Sequence, residues 1–198
     1  MGVILSISGC KAVGKSTLIE GLKKSIPNLI VREGFRKIKT GYDTLTEEGY
    51  YKNQRIYIER EIKEFKEFLN SEKIVVLLRG PEDLEFYTRH YPKINKKNWD
   101  LENNLKDELL KLKECRSDCI LYLDAKLETI IKRKTNDNTK PRENMNEWLK
   151  CWQPYIEEHT KLLKNTVVLE TDNLSSEDVL NFTLQLIEKN IVLGERNG

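Results

Sequence analysis

The sequence has few of the features that mark membrane-spanning or nucleic-acid-binding proteins. No stretch of its 198 residues approaches the roughly 20 consecutive apolar residues that a membrane-spanning helix needs. Its 34 Lys and Arg residues nearly balance its 32 Asp and Glu residues, and a net charge of +2 gives no general basicity for binding nucleic acid. We therefore expect neither a membrane nor a nucleic acid as a partner.

Cysteine is also scarce, with four residues at positions 10, 115, 119 and 151. A chain with 38% hydrophobic residues can build a full core and does not need disulfide bonds to hold it together. We expect all four cysteines to be reduced thiols. No secretory signal is visible at the N terminus, so the expected location is the cytoplasm.

Apolar strand-like runs alternate with amphipathic helix-like segments along the whole chain. The runs are nearly continuous in apolar residues, which is typical of parallel strands covered by helices on both faces. This pattern predicts an α/β three-layer sandwich with a five-stranded parallel sheet, in a single domain over residues 1–198. The predicted strands cover residues 3–7, 29–31, 74–78, 118–124 and 166–170. Residues 91–95 are predicted as a loop, and residues 100–114 as one helix.

Residues 9–17 fit the Walker A pattern, in which two glycines and a Lys-Ser or Lys-Thr pair form a phosphate-binding loop. A predicted strand precedes the pattern and a predicted helix follows it, as phosphate binding at a helix N terminus requires. The pattern predicts that the lysine reaches the β- and γ-phosphates of a nucleoside triphosphate and that the serine ligates Mg²⁺. The loop consists of Gly9, Cys10, Lys11, Ala12, Val13, Gly14, Lys15, Ser16 and Thr17.

Charged residues follow the second and third predicted strands, at the sheet edge where functional groups gather in open α/β folds. Arg32 and Glu33 follow the second predicted strand, and Arg79 follows the third. A charge directly after an apolar strand is hard to explain structurally, so we expect Arg79 to be functional. Further along, basic residues bracket the polar, breaker-rich segment 135–142, which predicts a loop that closes over anionic phosphates. Those residues are Lys132, Arg133, Lys134, Lys140 and Arg142.

The order of these elements resembles that of the P-loop nucleoside and nucleoside-monophosphate kinases, nearest the thymidylate kinase and deoxynucleoside kinase branch. The resemblance covers nearly the full length and implies the strand order 2-3-1-4-5, with a lid over about residues 133–143. It implies ATP and Mg²⁺ as cofactors and a nucleoside or nucleoside monophosphate as the acceptor. It also implies catalytic roles for Glu33, as base toward the acceptor hydroxyl, and for Lys15, Arg79, Arg133 and Arg142.

Two further sites follow from the same resemblance. The segment that contains Asp172 and Asn173 resembles the one whose backbone packs on adenine. At the third strand the sequence departs from the family, because Leu78 stands where these kinases carry Asp or Glu before the arginine. The missing acid is expected to help hold Mg²⁺ or to act as base. Ser16 is the first expected magnesium ligand, and the role of the missing acid falls either to Glu33 alone or to Asp83 and Glu82 one turn further on.

The sequence leaves three alternatives open. Leu78 is consistent with a degenerate kinase or NTPase that has no acceptor, and a bare phosphate loop is consistent with an NTP-binding regulator. A small molecule other than a nucleoside fits the role of acceptor nearly as well, because no residue pattern specifies a base. Related kinases are often dimers through helix packing, so a homodimer is a possible assembly by analogy.

Overall fold

The computed structural model describes residues 2–34, 38–135, 163 and 165–196, and only the backbone of residues 193–196. The strands are β1 (Ile4–Gly9), β2 (Ile30–Glu33), β3 (Val75–Leu78), β4 (Cys119–Asp124) and β5 (Thr166–Glu170). The helices are α1 (Lys15–Ser25), α2 (Glu47–Leu69), α3 (Pro81–Ile94), α4 (Leu101–Asn104), α5 (Lys106–Lys113), α6 (Leu127–Thr135) and α7 (Ser176–Arg196). None of these helices, within the described part of the chain, is long and apolar enough to cross a bilayer.

The five strands form one parallel sheet in the order β2-β3-β1-β4-β5, so both the predicted sheet and its predicted order are confirmed. Strand β1 lies at the centre, where Ile7 pairs with Leu78 of β3 and Gly9 pairs with Leu123 of β4. The carboxyl ends of β1, β3 and β4 therefore lie side by side at one edge of the sheet. This edge is where open parallel sheets carry their ligands.

The side chains of β1 alternate between the two faces of the sheet, as the period of a strand requires. Leu5 and Ile7 pack in the main core with the apolar stripe of α1, whereas Ile4 packs on the opposite face against α2. Ser6 and Ser8 share the face of Ile4 and are fully buried. Two hydroxyl groups thus lie in the interior, where each needs a hydrogen-bonding partner.

Helix α3 runs on to Ile94, so the loop predicted for residues 91–95 is wrong. Pro92 lies inside this helix, although proline removes the N–H that would bond to the carbonyl four residues earlier. That carbonyl belongs to Thr88, and it accepts a hydrogen bond from the Tyr50 hydroxyl at 2.9 Å instead. A tertiary contact from α2 thus replaces the missing helical bond and ties α2 to α3.

Two other bounds differ from the sequence prediction. Arg32 and Glu33 belong to β2 itself, in register with Leu77 and Leu78 of β3, instead of following the strand. The helix predicted for residues 100–114 is divided at Leu105 into α4 and α5. A helix predicted over residues 143–164 lies almost wholly outside the described residues.

Candidate active site

The loop between β1 and α1 has a backbone shape that depends on glycine. Gly9 and Gly14 have positive φ angles of 133° and 106°, and Ala12 has one of 69°. A Cβ atom on Gly9 would also lie 2.3 Å from the main-chain oxygen of Leu123, so the strand next to it leaves no room for a side chain. The loop ends at the first turn of α1, whose N–H groups have no partners within the helix and suit an anion.

Lys15 lies at the start of α1, with its ammonium group folded back over the loop. Its Nζ atom donates hydrogen bonds to the main-chain oxygens of Gly9 at 2.8 Å and Cys10 at 2.6 Å. Only 9% of the residue is exposed. The positive charge is therefore held at the mouth of the loop, at the place where the sequence pattern predicts a phosphate.

The remaining loop residues divide into buried and exposed positions. Cys10 and Val13 belong to the core, so only their main chains can face a ligand, whereas Ser16 and Thr17 are exposed on the first turn of α1. Burial raises the pKa of the Cys10 thiol, while the charges of Lys15 and Arg79 oppose that shift. Cys10 is thus a protonated packing group at neutral pH, and Ser16 presents its hydroxyl where a metal ligand is expected.

Arg79 follows β3 in a conformation that side chains rarely adopt. Its φ angle is 68°, and its N–H donates to the main-chain oxygen of Ile7 at 3.1 Å. Its guanidinium carbon lies 5.4 Å from the centre of the Tyr87 ring, within the range of a cation–π contact. The charge of Arg79 also acts on the Cys10 thiol of the phosphate loop, where it opposes the rise in the pKa of that thiol. A strained residue in such a place is typical of functional sites.

Helix α3 begins with two consecutive buried carboxyl groups that face the serines of β1. Asp83 accepts a hydrogen bond from the Ser8 hydroxyl at 2.5 Å, directly behind the start of the phosphate loop. Glu82 accepts one from the Ser6 hydroxyl at 3.2 Å and one from the Ser117 N–H at 2.7 Å. Burial raises the pKa of Glu82, and the Ser117 N–H opposes that shift. Asp83 therefore places a carboxyl group at the end of β1, next to the residue at which the phosphate loop begins.

The end of β2 carries two charged residues in opposite environments. The Glu33 side chain is 62% exposed and forms an ion pair at 2.5 Å with Lys23 of α1. The Arg32 side chain is 9% exposed and forms an ion pair with Glu61 of α2. The other arm of its guanidinium group donates to the main-chain oxygen of Arg79 at 2.8 Å. Glu33 is thus open to a small molecule, whereas Arg32 is built into the fold.

Arg133 lies in the last turn of α6 and binds the turn that follows β5. It donates to the Thr171 hydroxyl at 2.9 Å and to the main-chain oxygen of Thr171 at 2.6 Å. It also reaches the main-chain oxygen of Val13 in the phosphate loop at 3.5 Å. Thr171 is buried and is itself bound to the main-chain oxygen of Asp124 at the end of β4. Arg133 therefore joins α6, β5 and the phosphate loop.

The two residues expected near adenine lie in the same turn. The Asp172 carboxylate accepts hydrogen bonds from the Lys126 N–H at 3.0 Å and from the Thr129 hydroxyl at 2.5 Å. The Thr129 hydroxyl is the main reason that the pKa of Asp172 is lowered. Asn173 is exposed beside it. The Asp172 side chain thus secures the start of α6, whereas the Asn173 side chain is exposed to solvent.

The structure brings together the phosphate loop, Arg79, Asp83 and Arg133. It joins Glu33 to Lys23 near the sheet edge. The predicted lid is described only as far as residue 135, and Arg142 and the rest of 136–143 lie outside the described residues.

Three contacts were missed by reasoning from the sequence. They are the Ser8–Asp83 hydrogen bond, the Arg133–Thr171 bonds and the link from Arg32 to Arg79. A local signal could have revealed the Ser8–Asp83 hydrogen bond, because Ser6 and Ser8 place hydroxyl groups at alternate positions of an otherwise apolar strand. Their burial requires partners from a neighbouring element. The other two join residues distant in sequence, and no local pattern announces them.

A central parallel sheet in the order 2-3-1-4-5, with a Walker A pattern after its first strand, defines the fold of the P-loop nucleoside and nucleotide kinases. The structure is similar to thymidylate kinase from Candida albicans, with a TM-score of 0.65 and 18% identity over 96% of this chain and 92% of that one. It is also similar to deoxyadenosine kinase from M. mycoides with bound dATP, with a TM-score of 0.66 and 17% identity over 93% of this chain and 99% of that one. No protein-family model and no curated protein sequence matches this chain.

Proposed function

We propose that the protein transfers a phosphoryl group from ATP to a small hydroxylated acceptor, a nucleoside or nucleoside monophosphate being the favoured class. The observation that carries this proposal is the geometry of residues 9–17 around Lys15. Phosphoryl transfer depends on positioning and on neutralising charge, and a glycine-shaped loop with an ordered ammonium group provides both. The likeness of the fold to thymidylate and deoxyadenosine kinases supports the same class of reaction.

The proposed roles follow from position. Lys15 and Arg79 neutralise charge on the transferring group, since Lys15 lies over the phosphate loop and the main chain of Arg79 is bonded to Ile7, two residues before the loop begins. Arg133 holds the loop against α6, and Arg142 would add charge from the lid as the resemblance implies. The turn at Asp172 and Asn173 would face the adenine.

Glu33 is the proposed base toward the acceptor hydroxyl. Its exposed carboxylate is open to an incoming molecule, and its ion pair with Lys23 is a surface contact that an acceptor could displace at small cost. Asp83 is the competing assignment, because it lies closer to the phosphate loop. Its complete burial instead suits a fixed negative charge behind the loop.

The residues present fit a magnesium ion at the phosphate loop. The Ser16 hydroxyl is exposed on the first turn of α1, beside Lys15, as an oxygen ligand for Mg²⁺ must be. Asp83 is buried and bound to Ser8, so it would act on the ion through its charge, whereas Glu33 is exposed enough to ligate it. Bound Mg²⁺ would neutralise phosphate oxygens, while the protein residues orient the nucleotide and exclude water.

The acceptor would lie between α2 and α3, beyond the end of β2. Several aromatic residues of this region already contact one another, which makes them packing groups and poor candidates for stacking on a base. Tyr50 stacks on Tyr91 with ring centres 5.3 Å apart, and Phe86 stacks on His90 at 4.1 Å. Tyr87 also packs edge-on against Phe86, with ring centres 5.7 Å apart, but its ring lies 5.4 Å from the guanidinium carbon of Arg79, so it is the aromatic residue of this region that we propose to meet an acceptor.

A second candidate function is nucleotide binding without transfer, as a regulator or a degenerate kinase. The observation that favours it is Leu78, which pairs with Ile7 in the sheet where the related kinases place an acid. A kinase acting on a small molecule that is not a nucleoside is the third candidate. The aromatic contacts between α2 and α3 do not select a base over another ring.

One experiment separates these candidates. The purified chain is mixed with ATP and Mg²⁺ and offered nucleosides, nucleoside monophosphates and other small hydroxylated molecules, while ADP release is followed. Release that depends on a nucleoside or its monophosphate supports the proposal. Release with another acceptor favours the third candidate, binding of ATP without turnover on any acceptor favours the degenerate kinase, and tighter binding of GTP than of ATP favours the regulator.

A further inference from the structure

The ion pair between Arg32 and Glu61 is buried, with side-chain exposures of 9% and 4%. It links β2 to α2, and Glu64 of the same helix lies 3.6 Å from the same Nη1 atom of Arg32. Burial of two charges has a large desolvation cost, which the attraction between them often fails to offset. A contribution to stability is therefore a poor explanation for this pair. The hydrogen bond from Arg32 to the main chain of Arg79 offers a better one.

The second arm of the Arg32 guanidinium group points at β3. Its Nη2 atom donates to the main-chain oxygen of Arg79 at 2.8 Å, while the first arm holds Glu61. A guanidinium group is planar, so its donors keep fixed directions relative to one another. Glu61 therefore sets the orientation of Arg32, and Arg32 in turn sets the position of the Arg79 carbonyl group.

Arg79 needs such support because its backbone is strained. Its φ angle of 68° lies in the left-handed region, which is strained for a residue with a side chain, and such a conformation persists only where the surroundings fix it. Its N–H is held by Ile7 of β1 at 3.1 Å. Its carbonyl group is held by Arg32, so the residue is fixed from the strands on both sides of β3.

We propose that Arg32 and Glu61 are positioning residues for Arg79. By fixing its strained main chain, they set the direction in which its guanidinium group leaves the sheet, over the Tyr87 ring. The catalytic consequence rests on the function proposed above, in which Arg79 neutralises charge on the transferring group. The structural part of the proposal does not depend on that function.

The test uses variants of the full chain that keep it folded. Arg32→Met alone would leave Glu61 buried without its partner, so the double variant Arg32→Met with Glu61→Met removes both charges and keeps apolar bulk. The matched control is Arg55→Met. Arg55 also bonds to a carboxylate, that of Glu108 at 2.8 Å, and to a main-chain oxygen, that of Asn104 at 2.6 Å, so it links α2 to α5 and α4 and not to β3. Thermal melting of each variant checks that it is folded.

The turnover part of the test is a double-mutant cycle. We expect the Arg32/Glu61 double variant to lose about tenfold or more in kcat while its KM for ATP stays within about twofold, because misplacing one charged group affects the transferring phosphate most. In an Arg79→Ala background the same double variant should change kcat by less than about twofold. An unchanged kcat in the first case, or the full loss in the second, would overturn the proposal.

A second readout does not require turnover. Amide signals of Arg79 and Gly80 flank the carbonyl that Arg32 holds, so in ¹⁵N–¹H spectra the Arg32/Glu61 double variant should shift both, whereas Arg55→Met should not. Unshifted signals would contradict the positioning role. If the wild-type chain transfers phosphate to no acceptor, the proposed function fails, but these two signals still decide whether the pair fixes Arg79.

Discussion

The phosphate loop holds its shape through the main chain, whereas the region where β2, α2 and α3 meet is held through side chains. In the loop, two glycines and a lysine bonded to carbonyl oxygens define the cavity for an anion. In the second region, Arg32 and Glu61 and the Tyr50–Thr88 bond join elements that are distant in sequence. A site built from the main chain is recognisable from glycine spacing, and one built from side chains is not. The following predictions test this comparison.

The largest effect is expected from Lys15→Ala. It removes the ammonium group, whose positive charge the main chain of the loop cannot supply. Loss of a preorganised charge at a reacting phosphate should lower acceptor-dependent turnover by about 10³-fold or more. The measurement is ADP release, with circular dichroism to show that the variant is folded. Lys24→Ala, in the last turn of the same helix, is the control and should be fully active. Unchanged turnover in Lys15→Ala would disprove the site assignment.

A smaller effect on turnover is expected from Glu33→Gln, at the end of β2 in the region that is held by side chains. If Glu33 is the base, the glutamine that replaces it cannot accept the proton, so the variant should lower kcat by about 10²-fold and leave ATP affinity nearly unchanged. Asp83→Asn is the matched variant, since it keeps an oxygen that can accept the Ser8 hydrogen bond. Should Asp83→Asn lose turnover and Glu33→Gln retain it, the base would be Asp83 of α3 and not Glu33.

Replacement of the two loop glycines by alanine should lower the free energy of unfolding by different amounts. Gly14→Ala introduces a side chain at a φ of 106° but into open space, so about 1–3 kcal/mol of unfolding free energy should be lost to strain. Gly9→Ala adds a collision with the Leu123 carbonyl oxygen to similar strain and should cost more. Urea unfolding of both variants measures the difference. Equal losses would mean that β4 can move away from the loop.

The smallest expected effect is on the free energy of unfolding and concerns Glu82, which joins the start of α3 to Ser6 of β1. Burial raises its pKa in the folded chain, so the folded state binds a proton more readily than the unfolded state does. Stability is then greatest below the unfolded pKa and declines as the pH rises from there through the raised folded pKa. Glu82→Gln removes this decline, so its unfolding free energy should exceed that of the wild type slightly at pH 8 and match it near pH 4.

The control for that comparison is the exposed Glu72, whose Glu→Gln variant should follow the wild type at both pH values. Urea unfolding at the two pH values provides the measurement. A loss of stability in Glu82→Gln at pH 8 would show that the hydrogen bonds to the ionised carboxylate outweigh its desolvation.

The parts that the sequence predicted are those governed by local rules. Apolar runs located the five strands, and the glycine pattern located the phosphate loop, because both depend on neighbouring residues. The loop predicted around Pro92 failed because the Tyr50 hydroxyl supplies the bond that proline removes. The contact of Arg133 was missed for the same reason, because its partner Thr171 lies 38 positions further along the chain and no local pattern links the two. Contacts of this kind depend on the finished fold.

The ordered state of Lys15 has a consequence for how the protein meets its nucleotide. A lysine side chain that is free in solution loses about 1.5–2 kcal/mol of rotamer entropy when it is fixed. Here that loss occurs during folding, because the ammonium group is already bonded to Gly9 and Cys10. An incoming phosphate replaces two carbonyl oxygens as the acceptors of a group that is already in place, so the entropic cost of association falls mainly on the nucleotide.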